Sequence, residues 1–210
     1  MTKTSSQSEY QYGSSQLDHT YNYLTTPLLT MLPPLSGREI KILDLGCGNG
    51  SFSNFLTELG YTVLGIEESS AGIAIAKQNY PDCEFRQGSI YELSDSELEH
   101  SFDAVISVEV IEHLSNPRAL VTAAKYCLKP GGKFILTTPY HGYLKNLVLA
   151  VSGKMDAHFT ALWDGGHIKF FSVPTLTQLL TTENCTNIQF KYAGRIPYLW
   201  KSMLCTCKVT

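Results

Sequence analysis

The sequence has no long apolar run, no CxxC pair and no excess of basic residues, and each absence closes off a class of function. No segment approaches the roughly 18 apolar residues that a membrane-spanning helix needs. The N-terminus lacks the charged and apolar regions of a secretory leader, so neither secretion nor membrane spanning is expected. Lys and Arg number 16 against 19 Asp and Glu, a formal net charge of −3. The electrostatic footprint of a polyanion binder is therefore missing, and nucleic acid is not an expected partner. The six cysteines, at positions 47, 83, 127, 185, 205 and 207, are scattered through apparent core elements. That pattern fits reduced structural thiols in a cytoplasmic protein better than a disulfide framework or a thiolate zinc site.

What is present is an ordinary globular composition, 43% hydrophobic over 210 residues, enough for one domain to close its own core. Residues 1–16, "MTKTSSQSEYQYGSSQ", are too polar to order themselves and read as a disordered tail. Residues 17–37 read as an N-terminal helical cap, its one or two short helices broken at Pro27 and ended by Pro33 and Pro34. From 38 to 210 the pattern is that of a single α/β domain. Short β-branched or aromatic runs, "EIKILDL", "YTVLGIE", "CEFRQG", "FDAVISV" and "KFILTTP", alternate with the helical candidates "GSFSNFLTELG", "SSAGIAIAKQNY" and "NPRALVTAAKYCLKPGG". Such alternation predicts βαβ crossovers and a parallel sheet covered on both faces. An insertion at 140–173 interrupts it, followed by a helix at 174–183 and strands at 187–193 and 199–208. In an open α/β sheet ligands bind beyond the carboxyl ends of the strands, so the loops after Leu45, Ile66, Val108 and Thr138 should share one site.

The first of those loops carries the strongest motif. "ILDLGCGNG" sets Gly46, Gly48 and Gly50 directly after a strand, where missing side chains permit a tight turn and close backbone approach. The spacing is GxGxG rather than the GxGxxG of a dinucleotide loop, and Asp44 stands at its edge. A carboxylate there opposes a pyrophosphate but suits a ligand with an ammonium and a sulfonium group. Glu67, at the end of the second strand, is placed to accept both hydroxyls of a ribose.

Taken together, "ILDLGCGNGSFS", "VLGIEES", "FDAVISVEVIEHLSNP" and "LKPGGKFILTTP" resemble the class I S-adenosylmethionine-dependent methyltransferases in order and spacing. The resemblance implies a Rossmann-like, doubly wound, seven-stranded, mostly parallel sheet whose last strand is antiparallel. It also implies S-adenosylmethionine as cofactor, with Asp44, Gly46 and Gly48 at the methionine end, Glu67 at the ribose, and Cys47, Glu68 and Val108 among the other cofactor-binding residues. Where the family often has an acidic residue toward the adenine, this chain has Ser89, a weaker partner.

The acceptor side is less uniform. "SVEVIEHLS" gathers Glu109, Glu112 and His113, which share one face if the segment is helical; a solvated helix start is the plain alternative to a metal site. "DGGHIKFFSVPTLTQLL" resembles a segment of the ubiquinone-pathway O-methyltransferases, and His167 within it matches a later histidine of small-RNA 2′-O-methyltransferases. In those relatives the matching acidic and histidine residues hold a divalent metal. The resemblance therefore implies a site of Glu109, Glu112, His113 and His167 for Mg²⁺, Mn²⁺ or Zn²⁺. His113 and His141 are the catalytic candidates; His141 is either a general base or a loop histidine. Asp156 and His158 either touch substrate or are solvated, and Tyr21, Tyr23, Trp163, Phe170 and Phe171 form either an acceptor pocket or ordinary packing. "YLKNLVLAV" is either core or a lipophilic entrance resting peripherally on a membrane.

The reaction expected is O-methylation of a small phenolic or quinol acceptor, metal-assisted, with a lipophilic acceptor allowed. RNA 2′-O-methylation, N-methylation of a small molecule and a non-catalytic cofactor-binding partner are the alternatives. Neither the acceptor nor the oligomeric state is encoded in any motif.

Overall fold

Five of the β-rich runs form the parallel part of one sheet: β1 (Lys41–Leu45), β2 (Thr62–Glu67), β3 (Glu84–Gln87), β4 (Phe102–Val108) and β5 (Leu128–Pro139). A computed structural model of the chain describes residues 20–93, 95–163 and 165–209. The expected tail at 1–16, and the first residues of the expected cap, lie outside the described residues. β1, β2 and β4 are buried almost without interruption, the pattern of parallel strands covered on both faces. β6 (Cys185–Ala193) and β7 (Ser202–Val209) complete the order β3-β2-β1-β4-β5-β7-β6, with β7 antiparallel to both of its neighbours. The seven-stranded, doubly wound sheet is as expected from the sequence, including its reversed last strand.

The two-residue period of a strand splits the core into two layers. Leu43, Leu45, Val105, Phe134 and Leu136 face one side and pack with α4 (Pro117–Cys127) and α7 (Val173–Thr182). Ile42, Ala104, Ile106 and Ile135 face the other, with α1 (Tyr21–Leu29), α2 (Ser51–Glu58) and α3 (Ser70–Asn79). Local chemistry sets where helices start. Ser69 accepts from the Gly72 N–H ahead of α3, Asn116 precedes Pro117 in α4, and Ser172 and Thr175 form a reciprocal capping box on α7.

Two local expectations are modified. α1 runs through Pro27 as one helix, because Leu24 and Leu28, both fully buried, hold its inner face against the core. The stretch "LKPGG" belongs to β5 rather than to a helix end: Leu128 already pairs with Phe102, and the register slips before Ala104 pairs with Lys133. At that junction the Asp103 carboxylate accepts from the Lys41 N–H at 2.9 Å, Arg38 Nη1 at 2.9 Å and Lys129 Nζ at 3.0 Å. Among the described residues no helix is long and apolar enough to cross a membrane.

Candidate active site

At the carboxyl end of β1 the chain turns through Gly46, Gly48 and Gly50, all at positive φ (79°, 58° and 78°). A Cβ at Gly46 would lie 2.6 Å from Val110 Cγ2, so the loop backbone packs directly on the segment that carries the acidic residues. Glu67 ends β2 and braces the same loop, its Oε2 accepting from the Gly48 N–H at 3.0 Å and its Oε1 from the Ser69 N–H at 2.9 Å. Asp44 is 2% exposed and accepts from Ser53 Oγ at 2.7 Å. Burial pushes its carboxyl up to about 7, with the Ser53 bond opposing and the Glu67 charge adding. A buried carboxyl of this kind ionises readily only beside a cation, which is what an ammonium or sulfonium group provides.

Cys47 is buried, and its N–H donates to the Ile66 carbonyl at 3.1 Å; burial pushes its thiol well up. Val108 is buried at the end of β4. Ser89, with Ile66, Gly88 and Leu93, lines a cavity of about 330 Å³ beside the ends of β2 and β3. Glu68 meets Gln87 through its carbonyl, which accepts from Gln87 Nε2 at 3.1 Å.

The segment after β4 is not the helix that the spacing of Glu109, Glu112 and His113 suggests. Glu109 sits at φ 54°, and only Ile111–His113 form a single 3₁₀ turn. Glu109 Oε1 accepts from Thr137 Oγ1 at 2.8 Å, which turns it toward β5. Glu112 is fully buried, and neither Oε1 nor Oε2 has a hydrogen-bond partner. Burial first, and then the nearby Glu109 charge, push its carboxyl far above the usual range. His113 Nδ1–H donates to the Gly165 carbonyl at 2.9 Å, fixing the tautomer in which Nε2 offers its lone pair. Burial lowers the pKa of His113.

The insertion brings in His167. Glu112 draws it there through its main chain, since its carbonyl accepts the N–H groups of Ile168 and Lys169, both at 2.9 Å. His167 Nε2 lies 4.0 Å from Glu112 Oε1, and its ring centroid is 4.9 Å from that of His113. Burial, and then His113, lower His167 to about 4. One ligand atom each from Glu112, His113 and His167 falls within 4.8 Å of the others. One oxygen and two imidazole nitrogens, with a buried carboxylate otherwise unsatisfied, make a donor set fit for a divalent cation. Glu109 lies beside this trio rather than in it.

Around the trio, Trp163 meets His113 and His167 with ring centroids 6.3 Å and 5.9 Å away. His141 is 6% exposed; its N–H donates to the Phe171 carbonyl, and its Nδ1 has no partner. Burial, followed by the Lys145 charge, lowers His141 to about 4. Phe170 meets His141 edge-on, whereas Phe171 is buried in the core. Tyr21 stacks on Phe52, and Asp156 is exposed. His100 is engaged elsewhere, its Nδ1–H donating to the Leu128 carbonyl at 2.8 Å. Sequence reasoning did not single out Lys145, which is 5% exposed. Its one legible trace is a lone cation inside the apolar run "YLKNLVLAV".

Comparison with known proteins bears on the family and the fold. The profile of the family described as "Methyltransferase domain" matches residues 17–190. The ubiquinone biosynthesis O-methyltransferase of Paracidovorax citrulli is 32% identical over 140 residues, 64% of this chain and 57% of that protein. The one from Cereibacter sphaeroides is 29% identical over 181 residues, covering 82% of this chain and 71% of its own length. The chain spans about half the length of several curated relatives it matches. A crystal structure of a Pyrococcus horikoshii protein superposes with a TM-score of 0.67 at 22% identity, covering 91% of this chain and 90% of that one, which speaks for the fold alone. With a glycine loop suited to a cationic donor, a seven-stranded sheet ending in a reversed strand and a family match over most of its length, the chain belongs to the class I S-adenosylmethionine-dependent methyltransferases.

Proposed function

We propose that the protein O-methylates a small acceptor with adjacent ring hydroxyls, of phenolic or quinol type, assisted by a divalent cation. The observation that carries this reading is the buried Glu112 carboxylate, unpartnered and gathered with His113 and His167 next to a segment packed on the donor loop. The curated relatives named for ubiquinone O-methylation support the choice of oxygen as the acceptor atom.

When bound, S-adenosylmethionine supplies an electrophilic methyl group on sulfur, and Asp44, Gly46, Cys47, Gly48, Glu67, Glu68, Ser89 and Val108 are the residues to hold it. A divalent cation on Glu112, His113 and His167, with Glu109 alongside, supplies a positive charge that makes an acceptor hydroxyl more acidic. In the transfer an O–C bond forms as the S–C bond breaks, the electron pair stays on sulfur, and the hydroxyl proton is lost. Asp44 balances the donor's positive charge until transfer removes it. His141, neutral at physiological pH and with an unpartnered Nδ1, accepts or relays the hydroxyl proton. The rest of the work is alignment of the two reactants.

The exposed face of α5 (Tyr143–Val151), with Tyr143 and Val151 each 83% exposed, supports a lipophilic acceptor and peripheral contact with a membrane. Flotation with lipid vesicles tests that part, and Val151→Lys should abolish any binding seen. The activity itself is tested by following transfer of labelled methyl from the donor to catechols, to RNA 3′ ends and to amines. Transfer to RNA or to amines with none to catechols overturns this reading. Donor binding without transfer to any acceptor favours a cofactor-binding regulatory role.

A further inference from the structure

α5 is inverted for a surface helix: its one buried residue is Lys145, while Tyr143, Leu144, Leu147, Val148 and Val151 are exposed. Lys145 Nζ donates to the Tyr140 carbonyl at 2.8 Å, and no ion pair partners it among the described residues. An ammonium has three donors, and a buried one is costly unless they are met. Other polar groups collect beside it. His141 Nδ1 and Asn146 Oδ1 are both buried, with the Asn146 side chain acting on His141, and the His158 ring centroid is 5.5 Å from that of His141. Phe159 stacks on His141 at 5.8 Å, and Phe170 meets Phe159 edge-on at 4.9 Å, giving this corner an apolar wall.

The charges here are lopsided. Lys145 and Arg195 both act on His158, and Glu109 is the acid that opposes Arg195 at Lys145. Burial, then Arg195, bring Lys145 down to about 8, which leaves it mostly protonated at neutral pH. His141 and His158, both lowered first by burial, stay neutral and can each present an N–H. One positive charge flanked by neutral donors matches a monoanion better than a phosphate dianion.

We propose that Lys145, with His158, forms a carboxylate-binding subsite, so that the acceptor is an aromatic acid whose ring lies against the Phe159–Phe170 wall. The proposal rests on the O-methylation reading above and names the substrate class of the same site. The carboxylate end would be gripped by Lys145 while the hydroxyl end faces Glu112, His113 and His167. An acceptor held at both ends has its reacting oxygen positioned by a charge remote from the transferred methyl.

The test uses the full chain with S-adenosylmethionine and Mn²⁺ and two acceptors, 3,4-dihydroxybenzoate and its neutral methyl ester. The acid should show kcat/KM about tenfold or more above the ester, the size of one charge-assisted hydrogen bond. Lys145→Met, and separately the half-exposed His158→Gln, should each bring that ratio toward one. Equal or better use of the ester by the unaltered protein, or a ratio unmoved in both variants, overturns the subsite. Calorimetry of the two compounds on protein loaded with S-adenosylhomocysteine reads the same preference without turnover. Preferred binding of the acid with no transfer to either compound keeps the subsite and sinks the O-methylation reading; equal binding overturns the subsite whatever the turnover. A matching catechol phosphate that binds more tightly than the acid overturns the assignment to a carboxylate.

Discussion

Nε2 of His167 stands 4.0 Å from Oε1 of Glu112, a fully buried carboxylate with no hydrogen-bond partner among the described residues. The two belong to different segments, one just after β4 and the other in the insertion, and the main chain of Glu112 joins them. Proteins rarely leave a buried carboxylate unsatisfied, so this pair is the natural place to probe for a cation. Glu112→Gln and His167→Ala should each weaken Mn²⁺ binding by roughly 100-fold or more, beyond the effect of losing an outer-shell partner. Affinity for S-adenosylhomocysteine should change by less than about twofold. Calorimetric titration of both ligands checks this, and undiminished Mn²⁺ binding in both variants would remove the cation from the mechanism.

Asp44 makes donor affinity depend on pH. Its carboxyl is raised to about 7 in the donor-free fold, and a cationic donor requires it ionised. Affinity for S-adenosylmethionine should therefore rise as pH climbs through about 7 and then level off. The linked stability has the opposite sign: the donor-free fold is favoured below the ordinary carboxylate value of 3.8 and gives up that contribution as pH rises through about 7. Asp44→Asn should lower donor affinity and flatten its pH profile between 6 and 8, by calorimetry at several pH values. A profile as steep as that of the parent protein would move the titrating group elsewhere.

Glu67 holds the Gly48 and Ser69 N–H groups with its two oxygens, so it shapes the loop proposed to bind the donor. Glu67→Ala should weaken donor binding by about 1 to 3 kcal/mol, with the folded state retained by circular dichroism. Unchanged affinity would remove Glu67 from the donor site.

Much of this was legible in the sequence, for identifiable reasons. Strands such as "ILDL" and "FDAVISV" announce themselves because parallel strands are apolar on both faces. The glycine loop, Asp44 and Glu67 declare their place through position at strand ends. Glu109 was harder: its i,i+4 spacing to His113 suits a helix, but the chain leaves β4 through a left-handed residue at φ 54°, and Thr137 takes its carboxylate. Lys145 was harder still, because whether a lone lysine in an apolar run faces in or out depends on how the helix is rotated, which tertiary packing decides. The insertion is tied down by two backbone hydrogen bonds to a carbonyl, and no side-chain pattern encodes those.

Asp103 is a prediction about folding rather than activity. Burial pushes its carboxyl up, but the Lys41 N–H, Arg38 and Lys129 overcome this and hold it down at about 2. A depressed carboxylate stabilises the fold above the ordinary value of 3.8, and that contribution is lost as pH falls through about 2. Asp103→Asn should cost about 1.5 to 3 kcal/mol at neutral pH and reduce the acid sensitivity of unfolding. Urea titrations at pH 7 and pH 3 measure both, and an unaltered midpoint at pH 7 would show the junction to be dispensable.

The sheet's two outer strands also bear on how the protein behaves in a crowded solution. β3 has only 4 residues, too short a template for another chain to add to. β6 is longer, but its pairing with β7 slips between Thr186 and Gln189, and Asn187 takes a left-handed turn at φ 52°. Lys191 on the same strand reaches across to the hydroxyl of Thr30, just past the end of α1. A short edge on one side and a kinked, lysine-bearing edge on the other deny incoming strands a flat ladder. A chain whose central strands are nearly all apolar is thereby protected from edge-to-edge self-association.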